Sequence, residues 1–306
     1  MAAGERRRTA PAQRHGRPDR RRSAAAHSST PSRRWAAAGA LAGALVALVL
    51  FAPAAWVAGA VTQASGGRLV LAEARGTWWQ GDAVMVLTGG PGSREAWTLP
   101  GRLAWSLGLQ RWQPVLTLHQ ACCMAGATAL RLEPGIGRLG IAVETAAPAP
   151  APAPAPATAP AGTASALIGQ WPAAWLTALG TPWNTLKPAG LVRLGAQRLR
   201  LDLAEGRWRL SGALTADFQS ISSSLSTLPS LGSYRVEVAG DTAGVATLAL
   251  RTVDGPLLLS GQGQWTGGRL RLRGEARAAA GQEAALNNLL NLIGRRQGER
   301  ALIAIG

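Results

Sequence analysis

A run of 27 uncharged residues, 35–61, constrains this chain more than any other part of its sequence. The hydrocarbon core of a bilayer is about 30 Å thick, and about 20 apolar helical residues cross it. Trp35 and Trp56 are 21 positions apart, which suits the two interfacial layers where tryptophan is enriched. Pro53 lies within the run, and transmembrane helices tolerate proline. The run therefore predicts a single transmembrane helix.

The residues before this run predict its orientation. Residues 1–34 contain ten arginines and two acidic residues, a net charge of +8 out of +16 for the chain. They contain almost no large apolar side chains, so we expect a disordered arm. By the positive-inside rule the arm stays in the cytosol, and the chain after residue 61 is exported. In this interpretation the arm contacts anionic lipid rather than nucleic acid.

Two other interpretations of the apolar run are open. It could be a buried core helix, or a cleaved signal peptide, since residues 58–60 read Ala-Gly-Ala. The run exceeds the 7–15 apolar residues typical of a signal peptide, and 34 residues precede it. We therefore expect a retained anchor.

The exported part, 62–306, alternates with a period of two in many short segments. Leu201 and Leu203, for example, alternate with Arg200 and Asp202. Such alternation predicts strands with one buried face and one solvent-exposed face. Glycine-containing turns recur between these segments, which favours an antiparallel meander. The predicted fold is mainly β, with one or two short helices.

Two helices are predicted within the β region. Leu286, Leu289, Leu290 and Ile293 form one apolar helical stripe, which Gly294 could end as a left-handed cap. The second candidate covers residues 164–179, although Pro172 fits only its first turn.

An alanine–proline segment, 146–164, divides the exported part. It holds six prolines, which are incompatible with both helix and sheet interiors, so we expect an extended linker. The predicted regions are thus 1–34, 35–61, 62–145, 146–164 and 165–306.

The sequence predicts no catalytic, cofactor-binding or metal-binding residues. His119 is the sole histidine after the apolar run, and the acidic residues there are scattered singly. Metal sites need clustered His, Cys or carboxylate ligands. We expect His119 to be a surface strand residue.

Cys122 and Cys123 are adjacent in the sequence. Three states are open in an oxidising compartment: a vicinal disulfide, two free thiols, or a link to another chain. A vicinal bridge requires a distorted turn, because adjacent Cα atoms are about 3.8 Å apart.

Two rows of arginines alternate with apolar residues and could contact an acidic partner or lipid phosphates. The alternative is an ordinary solvated face. The rows consist of Arg207 and Arg209, and of Arg269, Arg271 and Arg273.

Several strings, in order along the chain, resemble the type II secretion system protein N (general secretion pathway protein N) family. They are ASGGR at 64–68, ARGTWWQG at 74–81, LPGRLAW at 99–105, the Cys122–Cys123 pair, LGTPWNTL at 179–186, NLLNLIGRR at 288–296 and IAIG at 303–306. The basic arm and the alanine–proline segment depart from the family pattern.

The resemblance implies a single-pass inner-membrane protein with a cytosolic N-terminus and a periplasmic β domain. It implies a non-enzymatic accessory subunit that works with other type II secretion subunits to export folded proteins. The exported part is also similar to the curved β-sheets of AsmA-like lipid-handling proteins. That similarity implies an alternative function in lipid binding or transfer.

Overall fold

The computed structural model describes residues 30–93, 95–145, 165–180, 183–240, 244–266 and 269–305. The chain divides into two units, 1–46 and 47–306. Most of the predicted arm and the whole alanine–proline segment lie outside the described residues.

Within the described residues, one helix is long and apolar enough to span a membrane, as predicted, and a shorter helix follows it in the apolar run. The first is α1 (Thr30–Phe51) and the second is α2 (Ala54–Ala64). Pro53 separates them, because it lacks the N–H that would continue the helical hydrogen bonds. The part long and apolar enough to cross a membrane is Arg33–Phe51, 19 residues. Residues 54–61 of the predicted span belong to α2.

The rest of the described chain is mainly strand, as the alternation predicts. Six strands precede the alanine–proline segment: β1 (Leu69–Gly76), β2 (Gln80–Thr88), β3 (Ala96–Gln110), β4 (Gln113–Gln120), β5 (Thr128–Gly135) and β6 (Arg138–Thr145). Nine strands follow it: β7 (Ala166–Pro172), β8 (Ala189–Ala204), β9 (Arg207–Ser222), β10 (Gly232–Gly240), β11 (Ala246–Asp254), β12 (Leu257–Thr266), β13 (Arg269–Ala278), β14 (Arg295–Gln297) and β15 (Arg300–Ile305).

All of these strands belong to one antiparallel sheet. Neighbours in sequence are neighbours in the sheet, except that β6 pairs with β8 and that β15 lies between β13 and β14. Strand β8 is 16 residues long: its C-terminal half pairs with β6 and its N-terminal half with β7. The parts on either side of the alanine–proline segment therefore form one continuous sheet. The predicted antiparallel meander is confirmed.

Strand register gives the sheet one apolar and one polar face. Leu201 is opposite Ile141 on β6 and Leu210 on β9. Asp202, one residue further along β8, is opposite Gly140 and Arg209. Because side chains alternate along a strand, the leucines share one face and the charged residues share the other.

Helices cover the apolar face at two places. Helix α2 places Ala54 against Leu71, Ala83 and Trp105 of β1–β3. Helix α4 (Glu283–Ile293) buries three leucines in a second cluster over β10, β12, β13 and β15. These leucines are Leu286, Leu289 and Leu290, so the helical stripe predicted from them is confirmed.

Two local predictions were wrong. The candidate helix 164–179 is replaced by β7 over 166–172 and a 3₁₀ helix (Ala173–Leu179), because Pro172 cannot occupy a helix interior. Gly294 is extended, with φ −166°, and is not a left-handed cap. A Cβ on Gly294 would lie 2.5 Å from the carbonyl oxygen of Leu302. Close approach to β15 thus explains this glycine. A last short helix is α3 (Trp183–Leu186).

Candidate interaction surfaces

Ion pairs cross the strands on the polar face. Arg102 on β3 pairs with Asp82 on β2, and Arg235 on β10 pairs with Asp217 on β9. These hydrogen bonds raise the pKa of each arginine, while desolvation opposes the rise. The pairs are partly exposed, so each contributes little to stability and mainly fixes which side chains face solvent.

Arg200 reaches across a whole strand to an acidic partner. Its guanidinium lies 2.6 Å from Glu133 on β5 and 3.0 Å from Asp202 on its own strand. Gly140 on β6 lies between them, and a Cβ there would be 2.9 Å from the Arg200 guanidinium. These residues line a polar pocket of about 490 Å³. Two acids pair with Arg200 in this cluster, and Arg138 and Arg209 also line the pocket, so its opposite charges largely offset one another.

The predicted arginine rows lie on the polar face but do not form one surface. Arg207 and Arg209 are exposed on β9, and Arg271 and Arg273 are exposed on β13. None of these four makes an ion pair with any residue in the described ranges. Strands β10–β12 separate the two rows, which places them about 19 Å apart across the sheet. Arg269 begins β13, and its side chain lies outside the described part.

The apolar face holds a cavity of about 730 Å³ between the sheet and helices α3 and α4. Its lining is almost wholly aliphatic and aromatic, and includes Leu250, Leu259, Leu272 and Leu289. Arg295, which is exposed, also lines it. A cavity of this size lies within the range of about 300–1,000 Å³ typical of small-molecule sites.

The polar group of Tyr234 in this cavity is already bonded. Its hydroxyl lies 2.9 Å from the carbonyl oxygen of Leu231 and 3.1 Å from that of Leu257. Burial raises the pKa of Tyr234 strongly, and the charge of Asp254 adds to the rise. The hydroxyl therefore stays neutral and leaves no free donor for a polar ligand.

Cys122 and Cys123 are joined by a disulfide in the turn between β4 and β5. The same turn supplies a hydrogen-bonding edge to β7: the Gln170 N–H donates to the Cys123 carbonyl at 2.6 Å, and the Ala125 N–H donates to the Ile168 carbonyl at 3.0 Å. Strand β7 is thus held between this turn and β8. The Cys122–Cys123 disulfide therefore lies where the strands before the alanine–proline segment meet those after it.

No group of three or more His, Cys, Asp or Glu residues could hold a metal ion within the described ranges. His119 is exposed on β4, opposite Ala104 of β3. Most acidic residues of the described strands form ion pairs with arginines, so the unpaired charge on the polar face comes mainly from arginine.

A family model described as "Type II secretion system (T2SS), protein N" matches residues 67–303. This range holds all fifteen strands except the last two residues of β15. The chain belongs to the type II secretion system protein N family. Members of this family are subunits of a secretion system, and the family is not a known enzyme family.

Family membership implies interaction with other components of the type II secretion system. Together with α1, it indicates an inner-membrane anchor for this protein N family member. Leu41 and Leu45 of α1 are 72% and 64% exposed, whereas a core helix of a soluble protein would be mostly buried. No curated protein and no solved structure gives a significant match to this chain.

Sequence reasoning missed the cavity and the residues that hold β7. The cavity depends on strands β9–β13 and β15, whose order is not readable from the sequence. Gln120 is buried and bonds across the junction, yet it resembles any polar strand residue in the sequence. The period-two pattern of β4 is the one sequence feature that predicts burial of Gln120, because it places this residue at an inward-facing position.

Proposed function

We propose that this chain is a non-enzymatic accessory subunit of the type II secretion system, anchored in the inner membrane with its sheet in the periplasm. The match to the family model over 67–303 carries the proposal, since it covers nearly the whole sheet. The ten arginines before residue 35 favour a cytosolic N-terminus. The subunit supports export of folded proteins across the outer membrane through contacts with other subunits.

Two features of the sheet support a contact role. The arginine rows on β9 and β13 are exposed and have no acidic partner among the described residues, so they remain able to bind acidic groups. Edge strand β14 is only three residues long and pairs with residues 300–302 of β15. The outer edge of β15 beyond Leu302 has no partner strand in the described part of the sheet, and such an edge can accept a strand from another protein.

A secretion assay tests this function. Deleting the gene is expected to leave exoproteins in the periplasm while their transport across the inner membrane continues. Full-length protein is expected to restore their release. Normal release from the deletion strain would contradict the proposal.

The structure determines where the anchor should be removed. Helix α2 packs in the core through Ala54 and Ala58, so a truncation after residue 61 would remove part of the folded unit. A form with residues 47–306 behind a cleavable signal keeps the whole sheet unit, including α2, and lacks most of α1. We expect weaker complementation than by full-length protein at equal abundance. Equal complementation would show that the anchor is dispensable.

Lipid binding is a second candidate function, which the apolar cavity favours. We propose that an acyl chain enters the cavity of about 730 Å³ with its charged headgroup near Arg295. Mass spectrometry of the purified protein is expected to find co-purifying phospholipid or lipopolysaccharide. Leu259→Trp, which fills the cavity, is expected to reduce the amount of co-purifying lipid. Leu258→Trp, at the neighbouring position of β12, is the control. Lipid-free wild-type protein would contradict this candidate.

A further inference from the structure

The break between α1 and α2 leaves a backbone carbonyl that the helix cannot satisfy. In an α-helix the carbonyl of residue i accepts from the N–H of residue i+4. The acceptor paired with position 53 is the carbonyl of Val49, and Pro53 has no N–H to donate. Val49 lies near the C-terminal end of the apolar segment Arg33–Phe51. In lipid no water is present to bond this carbonyl, so leaving it unsatisfied would be strongly unfavourable.

Two tryptophans of the β1–β2 turn satisfy this carbonyl. The indole nitrogens of Trp78 and Trp79 lie 2.5 Å and 3.0 Å from the Val49 oxygen. The backbone N–H of Trp78 donates to the Ala52 carbonyl at 3.1 Å. Thr77 also forms an isolated bridge with Pro53. The turn therefore replaces the hydrogen bonds that the helix loses at its break.

The residue type and its surroundings point to the boundary of a bilayer. Tryptophan combines a large apolar ring with one N–H donor, and it is enriched where hydrocarbon meets water. The two rings lie against each other with centroids 3.9 Å apart. Phe51 and Trp56, on either side of the break, are 75% and 56% exposed. In water these large apolar side chains would be exposed to solvent, whereas in the bilayer interface they would contact lipid.

We propose that Phe51, Trp56, Trp78 and Trp79 form a membrane-contact surface that lies in the interfacial layer of the phospholipid bilayer. The surface fastens the β1–β2 end of the sheet to the end of the membrane helix and holds it at the lipid headgroups. This inference rests on the membrane anchor of the proposed function. The membrane-contact surface would give the sheet unit a contact with lipid in addition to the anchor.

Fluorine NMR of the full-length protein tests this surface. The protein, labelled with 5-fluorotryptophan, is placed in nanodiscs of phosphatidylethanolamine and phosphatidylglycerol that contain a lipid with a paramagnetic headgroup. Single Trp→Phe variants assign the signals. We expect broadening for Trp35, Trp56, Trp78 and Trp79, and none for Trp265, which is 51% exposed on β12.

The signals separate failure of this inference from failure of the anchor. Sharp signals from Trp78 and Trp79 beside a broadened Trp35 signal would overturn the membrane-contact surface and leave the anchor intact. If the Trp35 signal is sharp as well, the proposed membrane anchor is contradicted, and so is the membrane-contact surface.

A second measurement tests the hydrogen bonds directly. The double variant Trp78→Phe/Trp79→Phe keeps two aromatic rings and removes both indole donors. Because two bonds to Val49 are lost, amide hydrogen exchange over residues 47–60 is expected to become roughly ten-fold faster. Trp208→Phe, at another exposed strand position, is the matched control and is expected to change nothing. Unchanged exchange in the double variant would overturn the fastening role of these indoles.

Discussion

Trp171 donates its indole N–H to the buried side-chain carbonyl of Gln120, with Nε1 3.3 Å from Oε1. The amide nitrogen of Gln120 in turn lies 3.0 Å from the carbonyl oxygen of Pro100. Gln120 ends β4 and Trp171 belongs to β7, so the bond joins the segments on either side of the alanine–proline segment. A single buried amide thus connects three strands.

Replacing this amide is expected to destabilise the sheet. Gln120→Leu keeps the approximate volume but leaves the Pro100 carbonyl and the Trp171 N–H without partners, which costs about 1–3 kcal/mol. Chemical denaturation followed by circular dichroism measures the change in the free energy of unfolding. Gln264→Leu, at an exposed position on β12, is the control and should be nearly neutral. Equal stability of the two variants would contradict this role of Gln120.

Reduction of the Cys122–Cys123 bond is expected to act locally. The bond closes almost no length of chain, so the unfolded state gains little freedom when it opens. The turn nevertheless supplies two backbone hydrogen bonds to β7. Hydrogen exchange should therefore accelerate in 166–172 after reduction and stay unchanged in 246–266. The double variant Cys122→Ser/Cys123→Ser should behave like reduced protein. Unchanged exchange in β7 would show that the disulfide does not help to hold this strand.

Tyr234 is expected to couple stability to alkaline pH. Its folded pKa is raised above the ordinary value of about 10, so the neutral phenol is the form that the folded state favours. This contribution is fully present below pH 10 and is lost as the pH rises above it, because the unfolded chain then ionises first. Wild type should lose more stability above about pH 10 than Tyr234→Phe. Since the chain has one tyrosine, the absorbance of tyrosinate reports the titration of Tyr234 alone. Titration near pH 10 in the folded protein would contradict the raised pKa of Tyr234.

The two arginine rows should contribute separately to secretion. Arg207→Glu/Arg209→Glu and Arg271→Glu/Arg273→Glu each reverse an exposed charge pair that has no acidic partner in the described chain. Each double variant is expected to reduce exoprotein release several-fold without lowering the melting temperature. Arg111→Glu, in the exposed β3–β4 turn, is the control. Wild-type release from both double variants would assign the rows to an ordinary solvated surface.

The sequence predicts the faces of the sheet well because alternation is a local property. Leu201 and Asp202 are adjacent in sequence, so their side chains are predicted to lie on opposite faces whatever the position of β8 in the sheet. It cannot predict which surfaces come together, because that depends on strand order. The arginine rows, for example, could have been adjacent, yet three strands separate them.

The apolar run shows a different limit of sequence reasoning. Hydropathy treats Ala54 and Ala58 like the alanines of α1, although these two pack against the sheet. Small apolar side chains suit lipid and protein equally well, so composition cannot separate the two environments. Pro53 was the informative residue, since it marks the position at which the helix breaks.

A reporter fusion tests the membrane topology of this chain. An enzyme that needs disulfides, and is therefore active only in an oxidising compartment, is fused after Gly306; a matched fusion uses an enzyme active only in the cytosol. We expect activity from the first fusion and none from the second, with both proteins in the membrane fraction. Activity from the cytosolic reporter alone would contradict the orientation, the periplasmic location of the sheet and the proposed role in secretion.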